Sequence, residues 1–175
     1  MERKLLPNIL YFPKLHSTNT YAMENLASLP DKQVIVAGKQ TDGRGRFDRK
    51  WISDKEGNVY LSIVLKNLPL TNLTLLMAES VCKVLEGYGI KSTIKEPNDV
   101  MVDGKKIAGI LSQSSTRGII LNGMVIGVGV NLNLNESDIE KIDQPATSLN
   151  LLTGKPIGRD VFIEKLLHEF FKVKL

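Results

Sequence analysis

Apolar residues recur along the chain in two spacings, and these predict alternating strands and helices. Short runs that are apolar, or alternate with polar residues, predict strands over residues 9–12, 33–37, 58–66 and 91–95. Apolar residues at helical spacing predict helices over residues 72–86 and 159–173. Ser17, Thr18 and Asn19 offer side chains that can cap a further helix, which we expect to run to about Ser28.

The pattern beyond residue 100 changes to successive hairpins. Asp103-Gly104 is a type I′ turn signal and predicts a hairpin around it. The next hairpin has predicted strands over residues 107–113 and 119–130. A polar loop and a short helix are then predicted over residues 131–144 and 146–152. Hairpins and helices around one sheet predict an α+β fold with a mixed, mainly antiparallel sheet.

Length and composition indicate one folded domain. The chain has 175 residues, of which 42% are hydrophobic and 24% charged, close to the averages of globular proteins. It has one cysteine, so no internal disulfide can form, and a reduced cytoplasmic location is expected. No apolar run approaches the roughly 18 residues of a membrane span. Residues 1–10 lack the apolar core of a signal peptide.

Much of the positive charge, which is +4 net, lies in one loop. The loop reads Gln40-Thr41-Asp42-Gly43-Arg44-Gly45-Arg46-Phe47-Asp48-Arg49-Lys50-Trp51. Its glycines let the backbone approach a ligand closely, and its arginines can bind phosphate or carboxylate through paired N–H groups. Because no Gly-Lys-Ser/Thr follows, it is not a Walker loop. The pattern predicts an anion site, with a solvated surface run or an RNA-contacting loop as the alternatives.

Three further segments could carry chemistry. Asn98 and Asp99 lie at a predicted strand break, where their oxygens suit Mg²⁺ or a ribose hydroxyl, although Asn-Asp after proline is also an ordinary turn. Lys106 leads a strand with the small residue Gly109, so its ammonium either reaches a carboxylate in a cleft or lies in solvent. The third segment, Gly127 to Asn133, has two glycines at a strand end that permit close approach of a flat ring or a ribose, or that form a bulged strand end.

Taken together, these segments resemble the catalytic domain of biotin protein ligases. That family carries, in this order, Ser-Thr-Asn, Gly-Arg-Gly-Arg followed by Arg and Trp, Lys-Trp-Pro-Asn-Asp, Lys-hydrophobic-Ala-Gly-Ile-Leu, and Gly-hydrophobic-Gly-hydrophobic-Asn. The resemblance spans about residues 9–134. It implies the biotin/lipoate ligase catalytic-domain fold, which is related to class II aminoacyl-tRNA synthetases. Glu96 stands where the family has Trp, and the sequence leaves open whether its side chain faces the substrate or solvent.

The resemblance also implies roles for individual residues. The positions that match the pocket for the biotin ureido ring are Ser17, Thr18, Asn19 and Gln40. The loop that closes over biotin and the activated intermediate is matched by Gly43, Arg44, Gly45 and Arg46. Contacts to phosphate and adenine are expected from Arg49 and Trp51. Asp99 matches the position tied to adenylation and Mg²⁺. Lys106 matches the lysine that reaches the biotin carboxylate, and Gly109 belongs to the same segment. Asn131 matches the position near the nucleotide. The catalytic set implied is Lys106, Arg44, Arg46 and Asp99.

The activity implied is ATP-dependent activation of biotin to biotinyl-5′-adenylate, then transfer to a lysine of a biotin carboxyl carrier protein. We expect residues 1–175 to be one catalytic domain, without a helix-turn-helix before it or the small C-terminal β domain of many relatives. DNA and membrane partners are therefore not expected, whereas a homodimer is possible. The alternatives are a lipoate or octanoate ligase-like enzyme and a biotin or nucleotide binder that does not transfer.

Overall fold

The structure is a computed structural model that describes residues 8–47, 49–67, 72–118 and 120–172. Its strands are β1 (Ile9–Leu15), β2 (Val34–Gln40), β3 (Val59–Leu65), β4 (Thr93–Lys95), β5 (Asp99–Val102), β6 (Lys105–Arg117) and β7 (Ile120–Val130). Its helices are α1 (Thr18–Glu24), α2 (Leu73–Glu86), α3 (Glu136–Ile139), α4 (Leu149–Thr153) and α5 (Arg159–Lys172). None of the helices in these ranges combines the length and the apolar character that crossing a membrane requires.

The strands form one seven-stranded sheet in the order β1-β2-β3-β7-β6-β5-β4. β1 and β2 are parallel, and every other neighbouring pair is antiparallel. The prediction of an α+β fold with a mixed, mainly antiparallel sheet is therefore confirmed. Pro13 lies in β1, which is an edge strand, where a residue without an N–H group removes no central ladder bond.

Both faces of the sheet are covered. Side chains of successive strand residues point to opposite faces, and in β2 Val34 and Val36 join the larger apolar cluster whereas Ile35 joins the smaller one. The larger cluster contains residues of α2 and α5, and the smaller one contains Ala22 of α1. This packing places the beginning of α1 over the middle of the sheet, where the polar segments identified in the sequence meet.

Several predicted boundaries differ from the structure. The first helix ends at Glu24 rather than near Ser28, because Asn25 leaves helical geometry and its side-chain Nδ2 donates to the carbonyl of Tyr21, 2.8 Å away. The predicted loop over 131–144 contains α3, which begins with a capping box between Asn135 and Asp138 that the sequence reading missed. The predicted positions 1–7, 119 and 173 lie outside the described residues.

Candidate active site

A network of neutral polar groups surrounds the beginning of α1. The backbone N–H of Thr18 donates to Oε1 of Gln40 at 2.8 Å. The Asn19 side chain donates to the carbonyl of Leu111 at 3.1 Å and to Oε1 of Gln113 at 2.9 Å. Thr18 and Asn19 are 4% exposed, so their polar groups must find partners inside the protein. The network offers amide and hydroxyl groups at one end of a buried pocket.

Ser62 connects this network to the centre of the sheet. Its Oγ lies 2.8 Å from Oγ1 of Thr18 and 2.6 Å from Oδ1 of Asn19, and the residue is fully buried. Sequence analysis did not identify Ser62. The available signal was a serine among the apolar and aromatic residues of strand β3, since a buried polar side chain needs a partner. Ser17, which the sequence placed in the pocket, instead caps α1 by accepting from the N–H of Thr20 at 3.3 Å.

The basic loop forms a small hairpin rather than an irregular loop. Arg44 and Lys50 pair across it, and the N–H of Gly45 donates to the carbonyl of Arg49 at 2.7 Å. Phe47 at the tip has φ of 56° and is 82% exposed, and the Arg46 guanidinium lies 4.7 Å from the centre of its ring. Asp48 is outside the described residues. The hairpin holds its arginine side chains beside the pocket but does not cover it.

Trp51 follows this hairpin and packs its indole on the sheet. A Cβ atom on Gly129 would lie 2.5 Å from Nε1 of Trp51, and one on Gly109 would lie 3.0 Å from Cζ3. A Cβ on Gly127 would overlap Oδ1 of Asn19. The close approach that these glycines permit is therefore made by the protein's own side chains rather than by a ligand ring. Nε1 of Trp51 is buried against Gly129 without a hydrogen-bond partner among the described residues.

Lys106 and Asp99 form an ion pair on the neighbouring strands β5 and β6. Nζ of Lys106 lies 2.8 Å from Oδ1 of Asp99, and the two side chains are 14% and 18% exposed. The contact lacks hydrogen-bond geometry, because Oδ1 has no hydrogen-bond partner among the described residues. The same ammonium lies 5.3 Å from the centre of the Trp51 ring. Asp99 and Trp51 thus fix the position of the Lys106 ammonium.

Asn98, beside this pair, connects two segments of the backbone through hydrogen bonds. Its side-chain Nδ2 donates to the carbonyl of Ile110 at 2.9 Å, and its own carbonyl accepts from the N–H of Ile110 at 2.9 Å. These bonds join the turn before β5 to β6. Neither bond uses the side-chain oxygen of Asn98, so the suggestion that both Asn98 and Asp99 offer oxygens to a ligand stays a prediction. Within the described ranges, no group of three or more His, Cys, Asp or Glu residues is arranged to hold a metal ion.

Two cavities of 240 Å³ and 660 Å³ adjoin each other at Lys106. The predicted site residues lining the smaller cavity are Thr18, Asn19, Gln40, Arg44, Gly45, Arg46, Arg49, Trp51, Asp99, Lys106 and Gly109. The larger cavity is lined by Arg49, Lys50, Trp51, Ile52, Lys106, Asn131, Lys141, Ile142, Asp143, Gln144 and Ala146. Gly43 lies outside both and packs against the Trp51 carbonyl. Asn131 is mostly buried and donates to the carbonyl of Thr147 at 3.0 Å.

Positive charge dominates the lining of the smaller cavity. Its cations are Arg44, Arg46, Arg49, Lys50, Lys95 and Lys106, whereas its carboxylates are Glu96 and Asp99. Such a cleft concentrates anions. Burial raises the pKa of Tyr60, which also lines the cavity and donates its hydroxyl to the carbonyl of Lys55 at 2.9 Å, so its ring stays neutral. The arrangement can bind a neutral polar ring at one end and bring two anions together at Lys106.

Comparison with known proteins gives a consistent family of matches. The family model described as "Biotin/lipoate A/B protein ligase family" matches residues 11–131. The bifunctional ligase/repressor BirA of Bacillus subtilis is 36% identical over 173 residues, which cover 94% of this chain and 53% of that protein. The biotin–[acetyl-CoA-carboxylase] ligase of Paracoccus denitrificans is 31% identical over 163 residues, covering 88% of this chain and 68% of that protein.

The solved structures show the same likeness in three dimensions. The biotin protein ligase of Aquifex aeolicus, in complex with biotin and ATP, is 31% identical with a TM-score of 0.80, covering 94% of this chain and 69% of that one. The biotin protein ligase of Leishmania major with biotinyl-5-AMP has a TM-score of 0.73 at 23% identity, covering 95% of this chain and 74% of that one, and shows the fold alone. This chain spans about half the length of the curated BirA relatives that it matches.

Proposed function

The chain belongs to the biotin/lipoate A/B protein ligase family, and we propose that it activates biotin with ATP and transfers the biotinyl group to a lysine of a biotin carboxyl carrier protein. The observation that carries this proposal is the position of Lys106. Its ammonium lies where the 240 Å³ and 660 Å³ cavities adjoin, so a carboxylate from one and a phosphate from the other can meet beside it. The Aquifex relative, of the same fold, binds both biotin and ATP.

Biotin fits the smaller cavity by its chemistry. Its ureido ring needs neutral donors and acceptors, which Thr18, Asn19 and Gln40 supply at one end. Its thiophane ring and pentanoyl chain are apolar and fit beside Leu111 and the Trp51 ring, which also line the cavity. Its carboxylate would then reach toward Lys106.

ATP fits the larger cavity. Arg49, Lys50 and Lys141 line it and can contact the triphosphate, while Ile142 and the Trp51 ring offer apolar surface to the base. Asn131 lies in the same wall, as the sequence resemblance implies, but its side-chain amide already donates to Thr147. We therefore assign Asn131 to shaping the wall of the nucleotide cavity.

In the first step, an oxygen of the biotin carboxylate forms a bond to the α-phosphorus of ATP, and pyrophosphate leaves with the electron pair of the broken P–O bond. Two anions must approach each other, and Lys106, Arg44 and Arg46 offset their repulsion. Asp99 keeps the Lys106 ammonium in place through the ion pair. In the second step, a lysine amine of the carrier attacks the biotinyl carbonyl carbon and AMP leaves. Folding of the basic hairpin over the cleft would keep water from the anhydride.

Mg²⁺ is part of the proposal through Asp99. Magnesium is usually held by one or two carboxylates together with substrate phosphates and water. Asp99 fits this pattern, because it is a carboxylate in the lining of the cavity that would hold the reacting groups. Asp99 would be the protein ligand, and the ion would reduce the negative charge of the triphosphate. Because the ion pair with Lys106 uses Oδ1, the ion would be held through Oδ2 of the same carboxylate.

The site also determines how the other partners would approach. We expect the carrier lysine to enter the smaller cavity beside its exposed lining residues Arg44 and Glu96. We further propose a cytoplasmic location, where ATP and carboxylase carriers are found. Pairing of two copies through an exposed edge of the sheet, such as β1, stays a prediction.

The test is release of pyrophosphate from Mg-ATP by the 175-residue chain with biotin, with lipoate and with neither. We expect release that depends on biotin. Release with lipoate alone would assign the chain to the lipoate branch of its family. No release with either acid, despite measurable biotin binding, would refute the activation step and leave a binding protein.

A further inference from the structure

Glu96 is the one carboxylate in the lining of the smaller cavity that the proposed first step does not use. It lies in the turn between β4 and β5, is exposed, and lines both this cavity and an adjoining one of 300 Å³. Within the described parts of the chain, no cation lies within ion-pair distance of its carboxylate, whereas Asp99 is paired with Lys106. Glu96 therefore places an unneutralised negative charge at the open side of a cleft that otherwise attracts anions.

The two steps of the proposed reaction make opposite electrostatic demands on this cleft. The first brings together carboxylate and phosphate, which the cations of the lining favour. The second requires a lysine side chain, which is an ammonium ion in neutral water. The same cations repel that ammonium as it enters. An exposed carboxylate in this lining lowers the repulsion locally, while screening by solvent around it limits its effect on the first step at the buried Lys106.

We propose that Glu96 forms a binding subsite for the ammonium of the incoming acceptor lysine and so determines the preference of the transfer step for a cationic amine. The proposal rests on the proposed function and adds a residue to its second step. At this position the sequence resemblance gives Trp, which carries no charge, so the subsite would be a property of this chain rather than a shared one.

The chemistry of the step remains that of amide formation. The lysine nitrogen forms a C–N bond to the biotinyl carbonyl carbon, the bond from that carbon to the phosphate oxygen breaks, and AMP departs with the electron pair. The ammonium loses one proton before attack and a second as the amide forms, and both go to solvent. Glu96 binds the cation before its first deprotonation and forms no covalent bond.

The test measures consumption of synthetic biotinyl-5′-adenylate bound to the full chain by two small amines. Nα-acetyl-lysine methylamide presents a cationic side chain, and hydroxylamine is uncharged at neutral pH. Glu96→Gln keeps the shape and removes the charge. We expect it to slow consumption by the lysine derivative about fivefold at low salt and to leave consumption by hydroxylamine within about twofold. The matched control is Glu86→Gln, since Glu86 is exposed at the end of α2 and lines neither cavity.

The outcomes separate this inference from the proposed function. Equal effects of Glu96→Gln on both amines, or no effect on either, would overturn the subsite. Added salt should reduce the difference between wild type and variant for the lysine derivative, and a difference unaffected by salt would also contradict it. The experiment starts from synthetic biotinyl-5′-adenylate and so does not depend on the activation step. Failure of the wild-type chain to bind this intermediate would instead refute the proposed function.

Discussion

Gly129→Ala is a substitution whose effect can be worked out from the packing of Trp51. The added Cβ would lie 2.5 Å from Nε1 of Trp51, whereas ordinary contacts of this kind begin at 3.4 Å. The indole must therefore move by at least 0.9 Å (3.4 − 2.5), because Gly129 lies in the rigid centre of the sheet, paired with both Tyr60 and Gly109. Overpacking of this size costs about 1–3 kcal/mol of stability.

The larger expected effect is on activity. Trp51 lines both cavities and lies 5.3 Å from the ammonium of Lys106, so a shifted indole changes the shared wall and removes this contact. A displacement of about 1 Å of a positioning group can reduce a rate roughly 100-fold. We expect biotin-dependent pyrophosphate release to fall by about that factor in Gly129→Ala.

The assay can follow the moving group directly, because Trp51 is the only tryptophan in the chain. Its fluorescence should shift to longer wavelength as the buried Nε1 becomes exposed to water. Gly158→Ala is the matched control, since a Cβ there meets Val161 at 3.6 Å, an ordinary contact. A Gly129→Ala protein that keeps both the wild-type emission and the wild-type rate would refute the packing argument.

Three further substitutions test other parts of the site and fold. Lys106→Ala should slow adenylate formation at least tenfold, or about 1.4 kcal/mol, in single-turnover assays, and a wild-type rate would show that the ammonium takes no part. Ser62→Ala should lower the free energy of unfolding by about 1–3 kcal/mol in denaturant titration, because Thr18 and Asn19 lose a buried partner, and unchanged stability would contradict the network. The pKa of Asp138 is lowered by a hydrogen bond that its carboxylate accepts from the backbone N–H of Asn135, and by Lys55. The ionised carboxylate therefore stabilises the fold above the ordinary carboxyl pKa, and this contribution is lost as pH falls through the lowered pKa. Denaturation at neutral and acid pH should show that loss in wild type but not in Asp138→Asn.

The sequence predicted those features that follow from the type and the spacing of residues alone. Helical spacing located α2 and α5, because a helix that buries one face needs that period. Alternation located β3, although both faces of that strand are buried. The ordered segments around Arg44, Asp99 and Lys106 pointed to side chains that the structure brings to one cavity. The roles of these residues in binding and catalysis stay predictions until the variants are measured.

What the sequence could not supply were contacts between distant segments. Gln113 bonds to Asn19, 94 positions away, and nothing local to either residue encodes that pairing. The two glycines at the end of β7 indicated close approach, but only the fold shows that Asn19 and Trp51 are the groups that approach. Likewise, the side on which Glu96 lies depends on the turn between β4 and β5, and the structure places it at the cavity entrance.

The most direct test of the central claim is the mass of an acceptor after reaction. The chain would be incubated with biotin, Mg-ATP and the apo biotin carrier domain of an acetyl-CoA carboxylase, and the intact carrier analysed by mass spectrometry. The account predicts the addition of a single biotinyl group at one lysine, dependent on ATP and abolished or strongly reduced by Lys106→Ala. Wild-type chain that leaves the carrier unmodified while biotinyl-5′-adenylate accumulates would contradict transfer, and equal labelling by the Lys106→Ala protein would contradict the site.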